Sequence, residues 1–417
     1  MRVALFAPYL PAPAFTGGRI RIHELARALS RSAELHLFAQ APLREVKAAD
    51  AREALGVYAS VEVVQPHVSW PRIWGRTPVR VRRAVPRALA TGFAAQHARA
   101  PFDLIVVEHC HAAAVARRAG LPWLLDEHNV ESQYLAQKLS AEGPLRCRHH
   151  AELARLRAWE VACWREATEV VAVTPDDAAC IAAVRGSAVT HIPNGVGEVV
   201  GDRLAAQSGE SVRRAPHGVE TAVPTPVGAA LPALAAQRGK QVLFVGLMDH
   251  PPNVRAAQLL ATEVMPRVWR RCPEATLVLC GANPSRAVRA LAGKQVLVTG
   301  RVPSVGPYYA AASAFASCLQ GGAGSSLKVL EALAAGVPLV STAAGVRGFA
   351  LSPQRHYLPG ETPDELATAI LRCLSTPAAA ELASMRDEGR MFAAAHRWST
   401  LASRFAALAL QTAEARS

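Results

Sequence analysis

The chain has 417 residues, 51% hydrophobic and 19% charged, with a formal net charge of +13 at pH 7. That length supports two domains with separate cores, and the absence of any uncharged apolar run of about 20 residues excludes a bilayer-spanning helix. The eight cysteines contain no CxxC pair, so their spacing points to buried thiols rather than a disulfide framework or a zinc site.

The chain opens with MRVALFAPYLPAPAF, an apolar run broken by prolines and lacking a small-residue cleavage site. It reads as a first buried strand rather than a signal peptide, which implies a cytoplasmic protein. RIRIHELARALSR follows at helical period, then the strand ELHLFA. Between Glu62 and Asp103 no acid occurs, whereas Arg72, Arg76, Arg80, Arg82, Arg83, Arg87 and Arg99 all fall there, with Trp70 and Trp74 among them. Such a stretch suits either a solvated loop or a contact with anionic lipid headgroups or a phosphorylated acceptor. No nucleic-acid motif accompanies the charge, so nucleic acid is not expected as a partner.

DLIVVE, PWLLDEH, EVVAVT and VTHIPN continue as strands, each followed by a turn or helix. From Val196 to about Lys240 the periodicity dissolves into Gly, Pro, Ala and Ser, the composition of a linker or insert. The alternation restarts with VLFVG, a helix from about Asn253 to Arg271, then TLVLCG, VLVTG, AFASC and PLVST. The expected class is α/β, with two Rossmann-like domains facing a central cleft. Residues 1–195 form the N-terminal domain, 196–240 the linker and 241–395 the C-terminal domain. A final helix within 396–417 packs back on the first domain.

The stretch GGAGSSLKVLEALAAGVPLVST carries the clearest chemistry. Gly321, Gly322 and Gly324 follow a strand and precede a helix that Ser325 or Ser326 can cap. Glycines let a backbone approach phosphate, and a helix N-terminus adds free N–H groups and a positive dipole. Lys328 lies in the first turn, suited to a diphosphate; Glu331 is three residues on, suited to a vicinal diol. A surface Lys–Glu pair explains the same spacing. Leu327 before Lys328 excludes a Walker A loop, and a GxGxxG fingerprint fails at the same residue. At the end of PWLL, His128 is flanked by Glu127 and Glu131. His109 and His111 end another strand, and neither their spacing nor their sequence partners argue for a metal.

GAGSSLKVLEALAAGVPLVST resembles the donor-binding signature of the GT-B glycosyltransferases of family four, formerly group 1. LPAPAFTGGRIRIHELARALS resembles that family's first loop, where a glycine pair meets the donor phosphates. LPWLLDEHNVES resembles the segment bearing a histidine near the reacting sugar, and HIPNGV the hinge turn. VLFVGLMDHPPNVRAAQLLATEVMPRV, TLVLCGANPS and VTGRVPSVGPYYAAA follow the order of a subgroup linked to exopolysaccharide clusters. The resemblance implies a retaining transferase that moves a sugar from a nucleotide diphosphate-sugar donor to a glycan or lipid-linked acceptor. It implies catalytic roles for His128 and Lys328. Donor contacts fall to Gly17, Gly18, Gly246, Asn253, Arg301, Gly324, Ser325, Ser326, Leu327, Lys328 and Glu331. Acceptor-side positions are Glu127, Glu131, Arg80 and Arg83. No cofactor is implied, and without a DxD motif no metal. The basic segment adds a peripheral contact with an anionic membrane at the inner face.

Two departures from the family pattern stand out. Ala323 occupies the place of the family's first glutamate. Leu247 and Asn253 stand near its diphosphate-binding arginine and lysine, leaving Lys328, Arg286 or Arg301 to supply the charge. A sugar-nucleotide epimerase and a non-catalytic glycan-binding protein are the alternatives.

Overall fold

The computed structural model describes every residue except 13, 15, 43–44, 46–54, 67–76, 142, 144–145, 198–239, 322–323, 376–378 and 416–417. Trp70, Arg72, Trp74, Arg76, Gly322, Ala323 and almost all of the expected linker lie outside the described residues.

The chain divides into two compact units. The first comprises Met1–Asn194, Ala323–Ser325 and Trp398–Ser417; the second comprises Gly195–Gly322 and Ser326–Arg397.

In the first unit, seven parallel strands form one sheet: β1 (Arg2–Ala7), β2 (Glu34–Gln40), β3 (Ser60–Val64), β4 (Leu104–Glu108), β5 (Trp123–Glu127), β6 (Glu169–Ala172) and β7 (Thr190–His191). Their order is β3-β2-β1-β4-β5-β6-β7, so the direction of winding reverses between β1 and β4. Helices cover both faces, which is why LIVVE and VALFA read as unbroken apolar runs. Phe6, Phe38, Phe93 and Phe102 stack in the core on one side. The C-terminal helix Trp398–Glu414 packs on α1 (Gly17–Leu29), β4 and β5, with Leu401, Phe405 and Ala409 buried.

The second unit repeats the plan with six parallel strands: β8 (Gln241–Val245), β9 (Thr276–Cys280), β10 (Val296–Gly300), β11 (Ala314–Ser317), β12 (Leu339–Ser341) and β13 (Leu358–Pro359). The order β10-β9-β8-β11-β12-β13 places the reversal between β8 and β11. Both sheets therefore have the Rossmann-like doubly wound arrangement, in which ligands bind beyond the strand carboxyl ends at the reversal. One core lies on each face of this sheet. Helix Pro363–Leu374 packs on one face and helix Leu327–Ala334 on the other. The helix expected from Asn253 to Arg271 is present in three pieces. Pro251–Leu259 runs into one wide π-type turn, Leu260–Val264, and then into Met265–Trp269. Pro266 has no N–H to give to the preceding turn, and the wide turn absorbs that lost bond.

Candidate active site

In the second unit, Gly246 leaves β8 and the chain turns into helix Pro251–Leu259, whose two leading prolines preset the helical φ. Asn253 is thereby held on the first turn, 8% exposed. Its amide donates to Leu247 O at 2.9 Å, and its Oδ1 accepts from Lys328 Nζ at 2.7 Å. The ammonium also sits 4.5 Å from the centre of the Phe244 ring. A Cβ on Gly246 would lie 2.8 Å from Asn253 Nδ2 and 3.0 Å from Lys328 Nζ, so only glycine leaves room for this pair. Burial pushes the Lys328 ammonium down to about 7, against the opposing pull of Glu331.

Lys328 belongs to helix Leu327–Ala334, which forms because Val329, Leu330, Ala332 and Leu333 make one buried stripe. That stripe leaves Lys328 and Glu331 half-buried. The surface ion pair is replaced by two separate engagements. Lys328 turns to Asn253, and Glu331 Oε2 accepts from the Tyr309 hydroxyl at 2.9 Å. Burial raises the Glu331 carboxyl, while Tyr309 and Lys328 oppose the rise. Ser326 stands at the N-cap, yet its side chain caps nothing, and Oγ is buried without a partner. The expected serine cap is thus absent at this position, and a hydroxyl donor is left available beside the helix N-terminus. Leu327, Gly324 and Ser325 are half-buried. Arg301 and Arg286 are both exposed, at the end of β10 and on a short helix respectively; of the three, Lys328 is the one held beside Gly246 at the carboxyl end of β8.

In the first unit the strand ends gather a second cluster. His128 Nε2 lies 2.8 Å from Glu108 Oε2 and 3.3 Å from Asp126 Oδ2. Arg21, 0% exposed, grips Asp126 with Nε at 2.7 Å and Nη2 at 2.6 Å, and its Nη1 donates to Ile192 O at 3.0 Å. Burial works to raise Asp126, but Arg21 and then His128 overcome it and hold the carboxyl well below its usual range. Burial, aided by the Asp126 charge, pushes Glu108 well up. A Cβ on Gly18 would fall 2.3 Å from the Tyr9 hydroxyl and 3.4 Å from His128 Nδ1, so the glycine at the start of α1 lets the helix end approach both. Gly17 begins the same helix.

Glu131 and Arg80, both expected on the acceptor side, meet at 2.5 Å. Glu131 also accepts from or shares a proton with His109 Nδ1 at 3.1 Å. Burial opposes ionisation of Glu131; His109, His111 and Arg80 nevertheless hold it low. Arg83 is exposed on the helix Val79–Ala84 that carries Arg80. Glu127 departs from expectation. It is 0% exposed, with Oε1 accepting from Trp164 Nε1 at 3.0 Å and Oε2 from the Cys110 N–H at 3.2 Å. Burial and the neighbouring Glu160 push it well up, and it is held inside the unit by these bonds rather than offered as an acceptor contact. The period of 2 along β5 explains this: Asp126 and His128 share one face and Glu127 the other.

Arg21, Glu108, Tyr9 and Tyr309 escape the sequence reading. Arg21 carries a usable signal, since it lies four and eight residues before Leu25 and Leu29 on the buried stripe of α1. Tyr309 carries none, as its neighbour Tyr308 is buried as well.

Residues 239–376 match the family model described as glycosyl transferases group 1. Almost all of that stretch lies within the second unit, and it covers about a third of the chain. Among curated proteins no sequence matches the chain. Structural similarity extends beyond that stretch. The chain resembles sucrose-phosphate synthase from Thermosynechococcus elongatus at 19% identity, with 100% of both chains covered and a TM-score of 0.70. It also resembles Anabaena HepE in complex with UDP and glucose, at 16% identity, with 98% of this chain and 99% of that chain covered and a TM-score of 0.66. A third likeness is to WaaG, a glycosyltransferase involved in lipopolysaccharide biosynthesis, at 15% identity, 98% and 99% coverage and a TM-score of 0.62. These likenesses show the GT-B fold, and the Lys328, Asn253 and Glu331 cluster lies within the stretch that matches the group 1 model.

Proposed function

We propose that the chain is a retaining glycosyltransferase that moves a sugar from a nucleotide diphosphate-sugar to a glycan or lipid-linked acceptor in surface polysaccharide synthesis. The observation that carries this reading is the cluster at the carboxyl end of β8, within the stretch that matches the group 1 model. There a half-buried ammonium, an unpartnered hydroxyl and a helix N-terminus gather beside a carboxylate fixed by a tyrosine. Lys328, Ser326 Oγ and the helix N–H groups suit the charge that develops on a departing diphosphate. Glu331 Oε2 is occupied by Tyr309, and its remaining oxygen suits a ribose hydroxyl. In a front-face retaining reaction the departing phosphate oxygen takes the acceptor proton, so no second carboxylate is required as nucleophile, in contrast to double displacement. HepE has been solved with UDP-glucose, which makes that donor the first to test.

The experiment is turnover of UDP-, GDP- and ADP-sugars by the purified chain, read as nucleoside diphosphate release with and without glycan acceptors. Release that depends on an acceptor supports the transferase; nucleotide binding with no turnover of any donor contradicts it, and an epimer formed from donor alone favours the epimerase.

The pH dependence follows from Lys328. Its charged form binds the diphosphate and predominates below about 7 in the free protein, whereas bound phosphate holds the proton to higher pH. Donor affinity therefore falls as pH rises above 7, by up to about tenfold per pH unit until the bound-state value is passed. Titration calorimetry between pH 6 and 9 checks the sign, and affinity that rises with pH contradicts it.

The exposed Arg83, Arg87 and Arg99 support a peripheral contact with anionic lipid. Among the described residues no helix is long and apolar enough to cross a membrane. The chain should co-sediment with vesicles rich in anionic lipid at low salt and be released at about 0.5 M salt; failure to bind at low salt removes this part of the reading.

A further inference from the structure

We propose that His109, His111 and Glu131 of the first unit form a binding site for a divalent transition-metal cation of the zinc class. The three side chains each offer one ligand atom, and these atoms lie within 4.8 Å of one another. His109 Nδ1 and Glu131 Oε1 are already 3.1 Å apart, close to the edge of a tetrahedron with bonds of about 2.0–2.1 Å. His111 Nδ1 is buried and has no hydrogen-bond partner. Two imidazoles and one carboxylate are a donor set that zinc, cobalt and nickel prefer over magnesium or calcium.

The local backbone is arranged for this convergence. His109 adopts φ 67°, a left-handed conformation rare for any residue but glycine, and leads into the short turn Cys110–Ala112. Such strain persists only where surrounding contacts enforce it. It brings the rings of His109 and His111 to 5.0 Å, closer than the roughly 6.6 Å that separates i and i+2 positions on one face of an extended strand.

The outer contacts fit a metal without rearranging the fold. Glu131 divides its oxygens, Oε2 to Arg80 at 2.5 Å and Oε1 toward the site. The Tyr9 hydroxyl is 3.3 Å from His109 Nε2. On metal binding the imidazole proton of His109 moves from Nδ1 to Nε2, where Tyr9 accepts it, the usual partner arrangement of a ligating histidine. Glu108, Asp126 and His128 form an adjacent group of three, but Arg21 already neutralises Asp126 with two hydrogen bonds. The site uses no residue of the stretch that matches the group 1 model, but it shares Glu131, with its partner Arg80, with the acceptor-side positions.

The test is titration of Zn²⁺ into the untagged full chain, stripped of metal, in competition with a chromophoric chelator, together with the visible spectrum of the Co²⁺ form. One ion per chain is expected, with Co²⁺ bands of a four- or five-coordinate nitrogen–oxygen site. Tyr9→Phe weakens binding by about 10-fold, and His111→Ala by more than the roughly 10- to 100-fold typical of an outer partner. Glu131→Gln, which keeps the side-chain shape, supplies a second ligand variant should His111→Ala prove unfolded by circular dichroism. The double variant His149→Ala/His150→Ala, on a separate helix, leaves affinity unchanged. Absence of a one-ion site overturns the proposal. Unchanged affinity in the ligand variants, or loss in the His149/His150 control, overturns it equally.

Discussion

Lys328→Ala lowers kcat/KM for the nucleotide-sugar donor by about 100- to 1000-fold, the range seen when one donor to developing charge is removed from a preorganised site. The fold survives the change, because Lys328 is not among the buried stripe of its helix and its loss leaves Asn253 still donating to Leu247 O. Lys328→Arg does not rescue. The ammonium lies beside Gly246, where even one added carbon would press on it, and a guanidinium is wider. Steady-state kinetics with melting curves for both variants separates this from misfolding. A variant that folds and retains near-full activity removes Lys328 from the reaction.

Arg21→Met destabilises the first unit by about 3–5 kcal/mol, because it strands the buried Asp126 carboxylate that Arg21 now neutralises with two hydrogen bonds. The melting transition should fall by on the order of 10 °C. The sign with pH is fixed. With Arg21 present Asp126 is held low, so its stabilisation exists above the unfolded value of about 4 and is lost in acid. Without Arg21, burial raises the folded value instead, and the penalty is full at neutral pH. The gap between wild type and variant therefore narrows as pH falls toward 4. Adding Asp126→Asn to Arg21→Met recovers part of the loss. A deficit that is independent of pH and unrelieved by the double variant argues that packing, not charge, holds α1 in place.

Much of this was legible in the sequence because it is written in period and punctuation. DLIVVE, PWLL, VLFVG and TLVLC are strands buried on both faces, and such runs admit few other readings. The edge strands were harder: SVEVV in β3 carries Glu62 at its middle, and β13 pairs through only two residues, one of them a proline. Lys328 and Glu331 were legible through their loop, but their partners were not. Asn253 reaches Lys328 across 75 residues of chain and Tyr309 reaches Glu331 across 22, and no local pattern encodes either meeting. Glu127 was misread for the opposite reason, since proximity to His128 in sequence means opposite faces in a strand. The His109 and His111 pair acquired its third member only when helix Glu131–Ala141 was placed beside β4.

The central claim is that the Lys328 cluster holds the diphosphate of a nucleotide. Titration calorimetry of UDP against uridine, or of GDP or ADP against its nucleoside if that base binds, tests it most directly. Wild-type protein should bind the diphosphate far more tightly than the nucleoside, and Lys328→Ala should erase most of that difference while leaving nucleoside binding intact. Equal affinity for the nucleoside diphosphate in both proteins would contradict the account.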